Sequence, residues 1–161
     1  RSYRALEDDS PVRVLSKFNS LNKDNFSNEE WILLFREGRW VGHVQEKILK
    51  NISVQNWDKK FLYEFSLPIS DLPSISEKEL IWKAIVRIEE TKDARLLVLS
   101  AAGLPLGTLD RVDLGKAVLK KMGLTLPDQL IKLARKDNTY PIGLNLPSIA
   151  KSMVSINSED N

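Results

Sequence analysis

The chain contains no cysteine, which excludes disulfides and thiolate chemistry and fits a reducing compartment. It contains one histidine, His43. A zinc site built on imidazoles would have a single nitrogen ligand and no thiolate to complete it. A nucleophile–histidine–acid triad would have to use the same residue. His43 follows Gly42 in an expected strand and reads as a structural or surface histidine. No apolar run approaches the roughly 18 residues of a membrane-crossing helix, and no signal-peptide pattern stands at Arg1. Glycine-rich phosphate loops of the P-loop or dinucleotide type are missing. Charge of one sign is lacking too: 24 Lys and Arg against 22 Asp and Glu leave +2. That balance gives no reason to expect nucleic acid or an anionic membrane surface as a partner.

What is present fits a soluble globular chain of 161 residues, 42% apolar and 29% charged. This length supports one domain, or two small ones sharing a core. Residues 96–114 organise it. Leu96, Leu97, Val98 and Leu99 are an apolar run of strand length, Ala101, Ala102 and Gly103 form a turn, and residues 104–109 return as a second strand. Gly107 inside that strand marks a place where another backbone or a ligand comes close. Asp110 and Asp113 flank the start of a helix, where carboxylates suit the free N–H groups. Three residues apart on one face, they read either as helix caps or as an acid/base pair. Residues 31–49 show the same layout. Gly38 and Gly103 are 65 residues apart, as are Gly42 and Gly107. At that offset Leu33, Val41, Val44 and Leu49 fall on Val98, Leu106, Leu109 and Leu114. An internal repeat outweighs any single motif.

In chain order, residues 1–9 are charged and expected to fray. Ser10 and Pro11 read as the N-cap and first residue of a helix with Val14, Phe18 and Leu21 on one face. Residues 19–28 read as a loop. After the first hairpin a short helix is expected over 45–50, with Ile48, Leu49 and Ile52. In the connector 53–69, Phe61, Tyr63, Phe65 and Leu67 alternate with mostly polar neighbours, which predicts a half-buried strand. Its aromatics either close the core edge or form a patch for a partner, and Trp57 is placed beside them. Ser76 and Glu79 have the spacing of a capping box. The helix they would open runs to about Glu90, with Ile81, Ala84, Ile85 and Ile88 on its apolar face. Offset by 67, Ile81, Ile85 and Ile88 fall on Val14, Phe18 and Leu21, so the repeat includes the preceding helix. Residues 92–95 turn into the next strand. A helix after Asp113 carries Ala117, Val118 and Met122 and stops at Gly123. Pro127 opens another, with Leu130, Ile131 and Ala134 on one side. A turn at 140–143, a short helix over 147–153 and a polar tail complete the chain. This last part stands outside the repeat and is expected to pack across its flank. Glu77, Glu89 and Glu90 read as helix solvation.

A helix, an apolar strand, a glycine turn, a strand with internal glycine, and Gly-x-x-x-x-x-Asp leading into a helix resemble the CBS domain, the cystathionine-β-synthase repeat. The resemblance covers roughly residues 10–122 as two units. It implies an α+β fold of two βαββα units in a pseudo-twofold pair, plus a C-terminal helical extension. The corresponding segments are a lead-in 1–9, units at 10–52 and 70–123 joined by 53–69, an extension 124–153 and a tail 154–161. Many CBS pairs bind adenosine nucleotides in their clefts. The signature is Gly, two aliphatics, Thr or Ser, two residues, then an Asp that holds the ribose. The second unit reads Gly107, Thr108, Leu109, Asp110, Arg111, Val112, Asp113. The resemblance therefore implies ligand contacts at Gly107, Thr108, Asp110 and Asp113. Asp110 replaces the hydroxyl residue and would repel phosphate. The first unit reads Gly42, His43, Val44, Gln45, Glu46, Lys47, Ile48 and has lost both polar positions.

Residues 96–111 and 140–153 also resemble, in wording, the soluble C-terminal region of site-2-type intramembrane zinc metalloproteases of photosynthetic bacteria. That resemblance implies a non-catalytic regulatory or interaction module on the cytoplasmic side of an integral membrane protease. The zinc would be confined to the parent's catalytic part, and an upstream His-Glu-x-x-His and apolar spans are expected. No cofactor is expected in this chain beyond an adenosine nucleotide such as AMP. Self-association through the helices of the CBS-like units is the expected contact, besides the attached protease. Two function classes follow: a sensor in which a ligand beside Asp113 biases an attached protein, and an interaction piece with empty clefts.

Overall fold

The computed structural model describes residues 3–19, 31–91, 93, 95–141 and 145–159. The chain divides into two compact units, Arg1–Leu72 and Pro73–Asn161. Each carries a three-stranded sheet with its own apolar core.

In the first unit the central strand is β2 (Trp31–Arg36), whose Ile32, Leu33 and Leu34 are consecutively buried, as in a strand covered on both faces. β1 (Tyr3–Glu7) pairs with it in parallel and β3 (Arg39–Val44) antiparallel. The expected fraying of the lead-in is therefore overturned over Tyr3–Glu7, while residues 1–2 lie outside the described residues. The short, charged β1 gains order from its backbone bonds to β2, a pairing partner 28 residues away, as between Tyr3 and Trp31. The β2–β3 turn is Glu37-Gly38 with φ of 51° and 76°, the two-residue turn that twists with its strands.

Pro11, not Ser10, caps the next element. That element is a 3₁₀ turn, Val12–Leu15, followed by α1 (Ser16–Asn19). Val12 and Leu15 are its buried residues, while Val14 and Phe18 pack beside them half-buried. Leu21 and residues 20–28 of the expected loop lie outside the described residues. After β3 a 3₁₀ helix, Glu46–Asn51, buries Leu49. The expected strand at 61–67 is overturned: Leu62–Phe65 is a 3₁₀ turn. Its fully buried residue is Leu62, and Phe61 stacks on Tyr63 at 5.8 Å, with Tyr63 exposed. Alternation misleads here because the 3₁₀ turn repeats every three residues and buries Leu62, which falls between the alternating residues, while Tyr63 and Leu67 are exposed. Trp57 does pack on this core, its indole N–H donating to the Ile52 carbonyl at 2.9 Å.

The second unit is built alike. β4 (Ser74–Ser76) pairs in parallel with β5 (Arg95–Leu99), and β6 (Pro105–Asp110) pairs antiparallel to β5. Between β4 and β5 lies α2 (Ile81–Glu90), and after β6 comes α3 (Arg111–Lys121), which completes a βαββα unit. Both hairpins shift register at matching places, between Leu34 and Phe35 and between Val98 and Leu99. Leu34 pairs with Gly42 and Val98 with Gly107. The expected equivalence of Leu33 with Val98 is thus off by one. The glycines keep their offset, but the second hairpin turns over one more residue and shifts β5 against β2.

The Ser76 capping box is also overturned. Ser76 ends β4, the Glu77 N–H bonds the Leu99 carbonyl at 2.9 Å, and Leu80 caps α2. Strand pairing has taken the backbone that a cap would need. The apolar face of α2 is as expected, with Ala84, Ile85 and Ile88 buried. On α3 the buried side is Val112, Leu114, Val118 and Leu119, while Met122 is exposed.

α4 (Asp128–Asp137) follows Pro127, and Ala134 is its buried residue, with Leu130 exposed. α5 (Leu146–Glu159) runs well past the expected 147–153 and takes in part of the expected tail, because serines do not stop a helix and Pro147 sits in its tolerant first turn. Leu146 and Ala150 enter the core with Ile85, Ile88, Leu96, Leu114 and Val118. Of the expected turns, Lys92, Ala94, Ile142 and Gly143 lie outside the described residues, as do residues 160–161. Among the described residues no helix is long and apolar enough to cross a membrane.

Candidate functional site

The best-formed polar constellation lies where β6 runs into α3. Asp110 ends the strand and caps the helix. Its carboxylate accepts the Asp113 N–H at 2.8 Å, and the Asp113 carboxylate accepts the Asp110 N–H at 3.0 Å. This reciprocal box satisfies free N–H groups of the first turn. Arg135, on α4, donates to both carboxylates: Nε to Asp110 Oδ2 and Nη2 to Asp113 Oδ1, each at 3.2 Å.

Burial raises the pKa of Asp113 from its ordinary value, and the charge of Asp110 adds to the rise, against the opposing hydrogen bond from the Asp110 N–H and the pull of Arg135. Next door, Arg111 Nε and Tyr140 OH both donate to Glu89 Oε1, at 2.9 and 2.7 Å. These bonds tie α2, the start of α3 and Tyr140 together. Burial alone would raise Glu89, but its bonds to Tyr140 and Arg111 hold it low.

Asp113 opens onto a cleft of about 280 Å³. Ile75, Ile81, Val98, Leu109 and Leu114 give it apolar walls, and Glu77 and Glu79 stand at it with Asp113. An apolar slot with a carboxylate at a helix start can hold a flat apolar ring system and accept hydrogen bonds from neutral hydroxyls. Among the described residues no group of His, Asp and Glu is arranged to hold a metal ion.

Of the four residues singled out in the sequence, Asp113 lines this cleft and Asp110 is bonded to it. Gly107 and Thr108 lie in β6, paired with Val98 and Leu97, and are not on its walls. A Cβ placed on Gly107 would meet nothing within 4 Å. Sequence reasoning missed Glu77, which it gave to helix solvation, and Arg135. The latter lies 22 residues beyond Asp113, in a lysine- and arginine-rich helix where no spacing distinguishes it.

The equivalent place in the first unit is different. Gln45 and Ile48 stand where Asp110 and Asp113 stand, and Gln45 makes no side-chain cap. The strand edge is covered: His43 N–H donates to the Leu67 carbonyl at 2.9 Å and Leu67 N–H to the His43 carbonyl at 2.8 Å. A Cβ on Gly42 would collide with the Ser66 side chain and approach the Leu67 carbonyl oxygen to 2.8 Å. His43 itself is buried, 6% exposed.

No protein-family model and no curated protein matches the sequence. Solved structures do. The CBS domain of a bacterial CNNM/CorC-family Mg²⁺ transporter in complex with ATP is similar at a TM-score of 0.52 and 16% identity, over 75% of this chain and 80% of that one. A CBS domain pair/ACT domain protein from Thermotoga maritima is similar at a TM-score of 0.50 and 18% identity, over 74% and 91%. The cytosolic domain of the Mg²⁺ channel MgtE in complex with ATP is similar at a TM-score of 0.52 and 16% identity, over 74% of this chain and 45% of that one. The likeness is one of fold: the chain has the mixed α+β architecture of CBS-domain pairs.

Proposed function

We propose that this chain is a non-catalytic regulatory module whose second unit takes an adenosine-type ligand in the cleft at the start of α3. The observation that carries the reading is the cleft itself, with apolar walls and the ionisable Asp113 at a helix N-terminus. Two structures of the same fold hold ATP, which supports a nucleotide as the ligand class. The apolar walls would take the purine, and the Asp113 carboxylate would accept the ribose hydroxyls. Asp110, Glu77 and Glu79 make successive phosphates costly, so adenosine and AMP are favoured over ATP.

The test is calorimetry with adenosine, AMP and ATP on the whole chain, on Asp113→Ala and on Asp110→Thr. Asp113→Ala should weaken binding by about 1.5–3 kcal/mol, the worth of a hydrogen bond to a charged group. Asp110→Thr should improve AMP. Absence of binding to the parent at millimolar ligand would end this reading.

The finer proposal is that the module belongs to a site-2-type membrane protease, as a soluble part on its cytoplasmic side. The wording of residues 96–111 and 140–153 supports it. Exposed Leu130 and Leu133, three apart on α4, favour a contact surface in the same module. The coding sequence upstream of Arg1 tests the first point. Sedimentation of the chain with and without Leu133→Lys tests the second.

A further inference from the structure

We infer that Arg135 decides which ligands the α3 cleft prefers, an inference that rests on reading that cleft as the adenosine site. Its guanidinium is bound into the carboxylate pair at two points, Asp110 Oδ2 and Asp113 Oδ1. The other two oxygens, Asp110 Oδ1 and Asp113 Oδ2, accept backbone N–H groups. Each of the four oxygens therefore has one partner, and a carboxylate oxygen has room for a second. Neutral hydroxyls can join this arrangement, whereas a cationic ligand would have to compete with Arg135 charge for charge.

Arg135 acts in opposite directions on the two halves of a nucleotide. At Asp113 it already draws on the oxygen that a ribose hydroxyl would use, which weakens that bond. At Asp110 it places a positive charge 3.2 Å from the carboxylate that repels phosphate. A phosphate on a ribose held at Asp113 lies well inside the about 8 Å over which charges act at physiological salt. A guanidinium has five N–H donors, and the bonds described here use two of them. With its side chain 40% exposed, Arg135 has donors left for an anion. The residue thus moves preference from nucleoside towards nucleotide, and it does so from α4, outside the β6–α3 signature.

The test uses the whole chain, with adenosine and AMP as probes, measured by calorimetry on the parent, Arg135→Gln, Arg135→Met and Arg135→Lys. Both neutral variants should bind adenosine about threefold tighter and AMP about threefold weaker, as expected for a partly exposed ion pair, so the affinity ratio moves about tenfold. Arg135→Lys keeps the charge and should hold AMP within about twofold of the parent. A purely structural role for Arg135 would weaken both ligands together or neither. If the parent binds and the neutral variants leave the ratio unchanged, or lose both ligands in parallel, the inference is wrong and the adenosine reading stands. If the parent binds neither probe, both fall.

Discussion

Gly42 and Gly107 hold matching positions in their hairpins and have opposite surroundings. Gly42 lies under Ser66 and the Leu67 carbonyl, while Gly107 faces open space. Gly42→Ala should destabilise the first unit by about 1–3 kcal/mol, the usual cost of overpacking. Gly107→Ala should be neutral, or stabilising by up to about 1 kcal/mol from reduced unfolded-chain entropy. Urea unfolding of the two variants decides it, and equal effects would show that the two edges are not differently covered. Asp113 allows a second test at this scale. Its folded pKa is raised, so it binds its proton more tightly folded than unfolded. That contribution to stability is present in acid and lost as pH rises from the ordinary Asp value of about 3.9 through the raised one. Glu89 is held low and works the other way, stabilising above its ordinary value and losing that contribution as pH falls. On acidification the two oppose each other. Asp113→Asn removes the first and leaves the second, so its melting temperature should fall more steeply than the parent's between about pH 5 and pH 3. Parallel curves for the two proteins would count against the shift at Asp113.

Among the elements, α5 is the one whose role the sequence concealed. Leu146 is 2% exposed in the core of the second unit, while Ile149, on the same helix, is 46% exposed. Leu146→Ala should cost about 2–5 kcal/mol and Ile149→Ala under about 0.5 kcal/mol, measured by chemical denaturation. Small effects at both would make the helix an appendage. The hairpins were legible because each combines an apolar run with a glycine where the chain must turn, and both signals are local. α2 and α4 were legible for the same reason, through helical spacing and Pro127. β1 and β4 were not. Tyr3–Glu7 and Ser74–Ser76 are short and polar, and they become strands only through bonds to β2 and β5, far along the chain. Ser76 and Glu79 even carried a stronger local signal for a helix start, which pairing to Leu99 overrode. At the site, Asp110 and Asp113 could be read from their spacing. Arg135 could not, because its meaning comes from where α4 packs.

For the whole molecule, the two units share a sheet order. Among the described residues the reciprocal Asp110–Asp113 box stands in the second unit and its counterpart positions in the first are Gln45 and Ile48, which predicts a stoichiometry. Asp113, with Asp110 bonded to it, opens onto the cleft of the second unit, and the first has Gln45 and Ile48 in their places and Leu67 paired along its strand edge. Adenosine should therefore bind once per chain. A ligand held by the folded state alone stabilises it by about 2.7 kcal/mol at a hundredfold excess over its dissociation constant. Hydrogen exchange can show where that stabilisation falls. Protection should rise in residues 75–81 and 109–117, the two stretches that carry most of the cleft's lining. Residues 42–49, the matching stretch of the first unit, should be unchanged at the same ligand concentration. Asp113→Ala should shrink the rise in 75–81 and 109–117 together at the same ligand concentration, because a ligand about 10- to 150-fold weaker stabilises the folded state less. A calorimetric stoichiometry of two, or protection appearing over 42–49, would mean that the first unit binds without an aspartate at the position of Asp113, where Ile48 stands. The signature aspartate would then not be what selects the ligand.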